Sequence, residues 1–571
     1  MTDVTIAPPL LIAVPIIAAA FVMLAGLRGR RLGWPIALVA VLAEIGLVAW
    51  LADAVFGDTG RLVHELGAYG RPGSEGFAVG IELVADVLSA TMVGLVALVA
   101  LCVLAVSRRA GPRGSPFYAA YLLLVAGLMG VVLTGDVFNL FVFLEITGIA
   151  TYTLVASNRS APAAIASLKY LIVGTTGASL YLLGVGYLLM ATGTLNMADL
   201  AVVLAGEPEF VDGALYTDPL VLASFAFIAT GLFVKTAIFP LHTWQPDAYA
   251  EAPDAVTVLI SALVSTIGAY AFLRISLTVY TPAFFEATPI VATVVVTVAS
   301  ISVVAGSALA VMQSRIKRVF AYSSVSQFGL VVAAIGIAVH PAAGADAAEA
   351  ALLGAIVHLV GHAIVKGGLF SAAMGLSIDA GAREVKDLAG LGRDSPVLAA
   401  SMAVLGLTLV GVPPAVGFLG KWYIAVGAMN AGVWPVAAVI LLSTVLTLAY
   451  VARILEQLYF TPAPSGDALD VEVEADRPND DTGDHAVAAD GGNGVDGRGG
   501  DGTATGTGEI GEAESNNDPN GDANDDDQPM GVPLGIVAIA AGAAVLAVLL
   551  GFAGPEFADA LEPFLVEVLG Q

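Results

Sequence analysis

Apolar residues in this chain come in long, nearly unbroken runs, not in the one-sided stripes or alternations of water-soluble helices and strands. Runs long enough to cross about 30 Å of hydrocarbon as a helix fall near 8–27, 34–56, 81–107, 117–134, 137–156, 162–191, 217–239, 255–273, 288–312, 319–339, 349–376, 396–427, 433–459 and 532–554. Backbone polar groups in lipid must be satisfied within the segment that carries them, so such runs read as helices. The pattern predicts an all-α polytopic membrane protein of about 14 transmembrane helices.

Two of these spans are interrupted beside a lysine. Span 7 contains Gly231-Leu-Phe-Val-Lys235-Thr-Ala-Ile-Phe-Pro240, and span 12 contains Gly411-Val-Pro413-Pro414-Ala-Val-Gly417-Phe-Leu-Gly420-Lys421. The breaks lie five spans apart, which predicts an inverted repeat of two five-helix units, spans 4–8 and 9–13. Paired broken helices point to an ion site near the membrane centre. The expected organisation is spans 1–3 in 1–115, the first unit in 116–280, the second in 281–460, a linker in 461–531, and span 14 with a tail in 532–571.

Composition sharpens this picture. The chain is 57% hydrophobic and 13% charged, against about 25% charged in soluble domains, which excludes one large soluble enzyme. A single cysteine, Cys102, excludes a disulfide framework or a thiolate metal centre within the chain. Residues 461–530 hold 19 acids and two arginines, so they carry most of the net charge of −26. That segment is also rich in Gly and Asn and is expected to be solvated and disordered. Strong acidity with only six lysines fits a cell living in high salt. The first run follows Asp3 and precedes Arg28, Arg30 and Arg31, so it is expected to remain as a span and not to act as a cleaved signal. Basic clusters favour the cytoplasmic face. They all fall there if both termini are outside, apart from Arg274, and the acidic linker is then cytoplasmic.

Ionisable residues inside spans are the candidate chemistry, because each costs about 2.5–3.5 kcal/mol to insert at a helix centre. Glu145 follows eight uncharged residues in span 5. Low-dielectric surroundings disfavour the charged form of an acid or a base, so a Glu145–Lys235 pair would act as a proton switch, or else as a static bridge between helices. Span 11 places His358, His362 and Lys366 at four-residue intervals on one helical face. This suits a proton relay, or polar helix packing. A metal site lacks a third ligand and nearby cysteines. Lys169 sits near a span start and either takes part or snorkels to the interface. Lys317 and Arg318 read as topology anchors. The polar run Tyr322-Ser323-Ser324-Val-Ser326-Gln327 in span 10 would hold water or hydrogen-bond a neighbouring helix. Asp136 and Asn139 read as helix caps. His242 and Asp247, after the Pro240 break, would form a proton entry or order their loop. No nucleotide, haem or nucleophilic-triad motif is visible, and neither a cofactor nor a nucleic-acid partner is expected.

Several independent motifs carry a resemblance. They are Phe-Asn-Leu-Phe-Val-Phe-Leu-Glu145, Gly-Thr-Leu-Asn196-Met-Ala-Asp199-Leu, and Phe-Val-Lys235 with Pro240-Leu-His242-Thr-Trp244-Gln-Pro246-Asp247. To these are added Arg-Val-Phe-Ala-Tyr-Ser-Ser-Val-Ser-Gln327, His362-Ala-Ile-Val-Lys366 and Val-Pro-Pro-Ala-Val-Gly-Phe-Leu-Gly-Lys421. Over about residues 80–460 the chain resembles the antiporter-like subunits of respiratory complex I, membrane-bound hydrogenases and Mrp-type sodium/proton antiporters. The Asn196 segment looks most like the D subunit of the Mrp type. The resemblance implies fourteen helices, a proton path at the membrane centre, Glu145 and Lys235 as coupling pair, Lys421 as terminal group of span 12, and His358, His362 and Lys366 on the hydrophilic axis. It also implies other membrane subunits as partners, with protons and Na+ as the transported ions. Many relatives carry a lysine in span 8, where this chain has Ala262-Leu-Val-Ser-Thr266-Ile-Gly268. Either Thr266 with water bridges that step, or Lys169 and the span-11 residues replace it.

Overall fold

Long apolar runs with few interior prolines fold here as helices, and polar or proline-bearing breaks end them. The computed structural model describes residues 4–69, 79–112, 114–206, 213–463 and 532–570. The expected acidic linker lies, from residue 464 onward, outside the described residues.

The first helices are α1 (Ala7–Leu27), α2 (Gly33–Ala54), α3 (Val87–Ala110), α4 (Ser115–Leu133), α5 (Val137–Ala156) and α6 (Ala161–Thr192). Next come α7 (Met197–Ala205), α8 (Pro219–Thr236), α9 (Gln245–Glu251), α10 (Asp254–Arg274), α11 (Thr281–Ala287) and α12 (Pro289–Val311). The chain continues with α13 (Ile316–Ala338), α14 (Ala345–Ala380), α15 (Leu391–Asp394), α16 (Pro396–Val410), α17 (Val416–Asn430) and α18 (Trp434–Tyr459). It ends with α19 (Leu534–Phe552) and α20 (Gly554–Leu569). Thirteen helices among the described residues are long and apolar enough to cross a membrane. The predicted span 12 is delivered by two shorter pieces, α16 and α17. The protein is thus an all-α polytopic membrane protein, as the runs predict.

The structure corrects the start of span 3. Residues 81–86 are not helical: strand β1 (Arg61–Tyr69) pairs antiparallel with β2 (Val79–Asp86), with Arg61 opposite Asp86 and Leu62 opposite Ala85. The apolar stretch 81–88 misleads because a strand and a helix start can share the same hydrophobic run. Asp86 stops the strand and starts the helix. Its carboxylate accepts from the Ser89 N–H, and the Ser89 hydroxyl accepts from the Asp86 N–H, forming a reciprocal cap. Asp136 caps α5 as expected, accepting from the N–H groups of Phe138 and Asn139 at 2.8 and 2.7 Å.

Helix α10 is buried along almost its whole length, as are α13 and most of α14, whereas α1, α2 and α19 turn much of their surface outward. A helix surrounded by other helices can carry hydroxyls that would be costly in lipid. Accordingly α10 holds Thr257, Ser261, Ser265 and Thr266, all fully buried. The two broken helices end in the left-handed region, at Ala237 (φ 63°) after α8 and at Gly411 (φ 96°) after α16. Each break places a lysine, Lys235 or Lys421, inside the bundle.

Candidate functional site

The break of α8 leaves its last turn facing α5. There Lys235 Nζ lies 3.1 Å from Glu145 Oε1 and 3.4 Å from the Leu144 carbonyl oxygen. Lys235 is buried, while the Glu145 side chain keeps 22% exposure. Gly148, one turn along α5, makes room for the ammonium: a Cβ there would stand 3.1 Å from Lys235 Nζ and 2.9 Å from the Tyr152 hydroxyl. An aromatic stack walls the pair, with Tyr152 edge-on to Tyr170 and Tyr170 stacked on Trp244 at 3.8 Å. Trp244 donates its indole N–H to the Val234 carbonyl at 2.9 Å, fixing the broken end of α8. The structure therefore joins Glu145 and Lys235, as read from the sequence.

A second cluster sits between α13, α14 and the broken span 12. Lys366, fully buried, donates to the Phe320 carbonyl at 2.7 Å and to the Ser323 hydroxyl at 2.5 Å. His358 Nε2 lies 2.9 Å from Gln327 Oε1. The His358 and His362 rings are near-parallel with centroids 6.5 Å apart. Neither ring nitrogen of His362 has a hydrogen-bond partner, nor has Nδ1 of His358. Lys421 reaches back to the open end of α16, donating to the carbonyls of Leu409 and Val410 at 3.0 and 2.9 Å. Those carbonyls are exposed by the helix break, and the negative end of the helix dipole favours a cation there. Gly420, beside Lys421, packs directly on His358: a Cβ at this position would stand 2.8 Å from the His358 ring. His358, His362, Lys366 and Lys421 thus form one group, and the polar run of α13 hydrogen-bonds α14 through Ser323 and Gln327.

Between the two clusters lie residues that sequence reasoning did not single out. Gln245 Nε2 donates to the Ser265 hydroxyl at 2.9 Å and to the Tyr249 hydroxyl at 3.1 Å. Tyr249 packs edge-on to Phe370 of α14, which packs edge-on to Phe320, whose carbonyl holds Lys366. Gln245 Oε1 has no hydrogen-bond partner. The signal available was a glutamine directly after Trp244 in the motif beyond Pro240. Thr266 donates its hydroxyl to the Ala262 carbonyl of its own helix at 2.7 Å and not to a side chain of either cluster.

The remaining candidates collect at the basic end of the bundle. Asp247 takes Lys169 at 2.6 Å and Arg318 at 3.1 Å. Lys317 pairs with Asp254 at 2.5 Å and donates to the Ala252 carbonyl. Lys169 is therefore neither in the central clusters nor merely snorkelling, since it holds the loop after the α8 break through Asp247. His242 is buried, stacked on Phe239 and near Tyr322, and its Nδ1 has no hydrogen-bond partner. Burial pushes the His242 imidazole below its ordinary value. Among the described residues no group of three or more His, Cys, Asp or Glu side chains is placed to hold a metal ion.

Fold and site together define an antiporter-like, multi-pass membrane protein with charged residues at two helix breaks. The chain belongs to the NADH:quinone oxidoreductase/Mrp antiporter transmembrane family, whose sequence pattern matches residues 134–447. It is 42% identical over 410 residues to NADH-quinone oxidoreductase subunit N of Desulforudis audaxviator, covering 70% of this chain and 76% of that one. It is 32% identical over 457 residues to the D subunit of the Na(+)/H(+) antiporter of Alkalihalophilus pseudofirmus, covering 80% and 86%. Among solved structures, the fold matches a chain of the Mrp complex from a Dietzia species with TM-score 0.78 at 24% identity, covering 100% and 98%. It also matches a chain of the membrane-bound sulfane sulfur reductase, an archaeal respiratory membrane complex, with TM-score 0.75 at 27% identity, covering 99% and 98%. The resemblance to the antiporter's D subunit is therefore real but shared with subunit N.

Proposed function

We propose that this chain translocates protons through the membrane centre, as an antiporter-like subunit of a multisubunit complex. The observation that carries the reading is the contact of 3.1 Å between buried Lys235 and half-buried Glu145 at one helix break, mirrored by Lys421 on the freed carbonyls of the other. When Glu145 and Lys235 are close, each stabilises the other's charge. When they separate, both charges become costly in a low-dielectric site, and the lysine releases its proton. The partnerless nitrogens of His362 and His358 and Oε1 of Gln245 are where ordered water would complete a proton wire to Lys366 and Lys421. The basic rim of Arg315, Lys317 and Arg318 supports a cytoplasmic position for that end of the bundle, and with it both termini outside. The organisation into inverted units meeting at the two breaks follows the same logic.

The finer reading is a subunit of an Mrp-type Na+/H+ antiporter, supported by the 32% identity to the antiporter's D subunit over 457 residues. A second reading, a proton-pumping subunit of a redox-driven complex, is favoured by the 42% identity to subunit N. The test is the pH change on sodium addition in everted vesicles containing the whole native complex, comparing wild type with Glu145→Gln and Lys421→Ala at equal assembly. A sodium-driven change that needs no electron donor and is lost in both variants is expected for the antiporter. A gradient that forms only with an electron donor assigns the redox-driven complex. Unaltered activity in both variants refutes the proton path under either reading.

A further inference from the structure

Outside the two clusters, one buried carboxyl among the described residues stands alone. Glu44 lies midway along α2 and is 1% exposed. Neither of its carboxyl oxygens has a hydrogen-bond partner. Every carboxyl group named in the site is paired or capping.

Its surroundings can be fixed from the packing register. Helix α2 runs antiparallel to α3, with the Trp34 indole N–H on the Leu104 carbonyl and Val48 against Gly94. Glu44 is therefore level with the apolar stretch of α3 around Val96 and Ala97, both buried. Helix α4 runs parallel to α2, with Gly33 against Tyr118, which puts Glu44 level with Leu128 and Met129, also buried and apolar. The first helix, α1, contains no ionisable residue. Of the ionisable groups on α3 and α4, Cys102 and Arg108 lie toward the basic end. Arg108 sits over the Trp34 ring, ten residues from Glu44 or about 15 Å along the helix. Tyr118 lies at that same level, against Gly33, and Tyr121 donates to the Ala100 carbonyl.

An ionised carboxylate without a partner in such a place costs several kcal/mol, and in practice the group neutralises instead. A bound cation would need further ligands, and among the described residues no group of three or more His, Cys, Asp or Glu side chains is placed to supply them. The one ligand that needs no second donor is a proton.

We propose that Glu44 is a proton-binding site separate from the Glu145–Lys235 pair, and that the folded protein holds it as the neutral carboxylic acid. The register gives it a place in the bundle. Gly127 and Gly130 of α4 pack on Thr147 and Phe143 of α5, so Glu145 is level with Met129, the same depth as Glu44 on the other side of α4. The membrane centre therefore contains two acids flanking one helix, one in an ion pair and one protonated.

Glu44 itself is buried, but its chain neighbours line a groove through which a specific reagent can come near. A groove of about 710 Å³ runs between α1 and α2, lined by Val14, Ala18, Phe21, Ala40 and Ala43. Ala40 and Ala43 sit one turn before and directly before Glu44. An apolar carbodiimide dissolved in lipid can approach by this route. The acid adds across one C=N bond: its proton goes to nitrogen and its oxygen bonds the central carbon, giving an O-acylisourea. Acyl migration from that oxygen to nitrogen then gives a stable N-acylurea that retains the whole mass of the reagent. Only the protonated carboxyl supplies the proton this addition consumes.

The test uses the purified native complex in lipid, comparing wild type with Glu44→Gln. That change keeps shape and neutrality, and the complex is expected to assemble normally. The infrared difference spectrum at neutral pH is expected to lose the C=O stretch of a protonated acid, identically in sodium and choline salts. Dicyclohexylcarbodiimide is expected to leave an N-acylurea on the wild-type peptide containing Glu44, located by mass spectrometry, and nothing on that peptide in the variant. Loss of carboxylate bands in place of the acid band, or a sodium-dependent difference, overturns the proposal whatever the label shows. Failure of Glu44→Gln to assemble, with Glu44→Asp assembling, would also overturn it, because that pattern requires an ionised, liganded carboxylate.

Discussion

At the scale of single residues, the difference between a charge that is held and one that is used lies in what stands beside it. Lys235 has one carboxylate and one carbonyl within reach, and Lys421 has only the carbonyls freed by a broken helix. Glu145→Gln removes the partner of a buried ammonium, and at equal assembly proton flux is expected to fall by at least about tenfold, or roughly 1.4 kcal/mol in barrier. A static bridge would instead lower the amount of assembled complex and leave flux per complex unchanged. The same scale separates Gln245 and Ser265 from Thr266. Gln245→Leu or Ser265→Ala breaks a contact between the clusters, and either is expected to slow flux several-fold in the vesicle assay. Thr266→Val removes a hydroxyl already bound to its own helix and is expected to change flux little. The charged residues of the site were legible because each interrupts an apolar run. Gln245 and Ser265 were not, since neutral polar residues are common in membrane helices. Glu44 carries the same signal as Glu145, yet only its lack of partners in the folded bundle makes it stand out.

At the scale of elements, helix breaks do the positioning. Span 12 splits because Gly411 turns left-handed and Pro413 and Pro414 supply no backbone N–H, so α16 ends with unpaired carbonyls that Lys421 takes up. The two halves then touch very closely: a Cβ on Gly417 would stand 2.0 Å from the Thr408 carbonyl oxygen. Backbone cannot yield as a side chain can, and overpacking of this kind costs about 1–3 kcal/mol or more. Gly417→Ala is expected to lower the thermal unfolding midpoint of the detergent-purified protein and reduce flux with it. The control is Gly186→Ala in α6, where nothing lies within 4 Å. Alanine there is expected to be neutral or stabilising by up to about 1 kcal/mol. The breaks were readable from Gly and Pro. The hairpin β1–β2 and the C-terminal helix α20 were not, because short polar-flanked segments outside the membrane carry no long periodic signal.

At the scale of the whole molecule, the two ends of the bundle differ. One end is basic and tied by Asp247, Glu251 and Asp254 to Lys169, Arg315, Lys317 and Arg318. At the other end Arg274, an exception to the charge pattern in the sequence, is explained by Asp86, which meets it at 2.5 Å at the base of the hairpin. Burial alone would raise the Asp86 carboxyl, but the Arg274 guanidinium and the Ser89 donors outweigh it and hold the group below its ordinary range. A carboxyl lowered in the folded state adds stability that is complete above the unfolded value of about 3.9 and fades as pH falls through the folded value. Asp86→Asn leaves Arg274 without its counter-charge, and a loss of about 3–5 kcal/mol at pH 7 is expected for a broken buried pair. Thermal melts of wild type and variant should converge on acidification below about pH 4. A gap that stays constant into acid would show that Asp86 acts through shape and not through charge.

The class of fold, the two broken helices and the charged residues at stake were all present in the order of the amino acids. They follow from local quantities: apolar run length against bilayer thickness, proline and glycine at breaks, and the insertion cost of a charge. Beyond the Glu145–Lys235 pair, which polar groups meet was settled by the folded bundle. It took Lys421 to the carbonyls of α16, sent Lys169 to Asp247, bound Thr266 to its own helix and left Glu44 with no hydrogen-bond partner. Pairing across helices depends on rotation and depth in a packed bundle, and a hydrophobic run fixes neither.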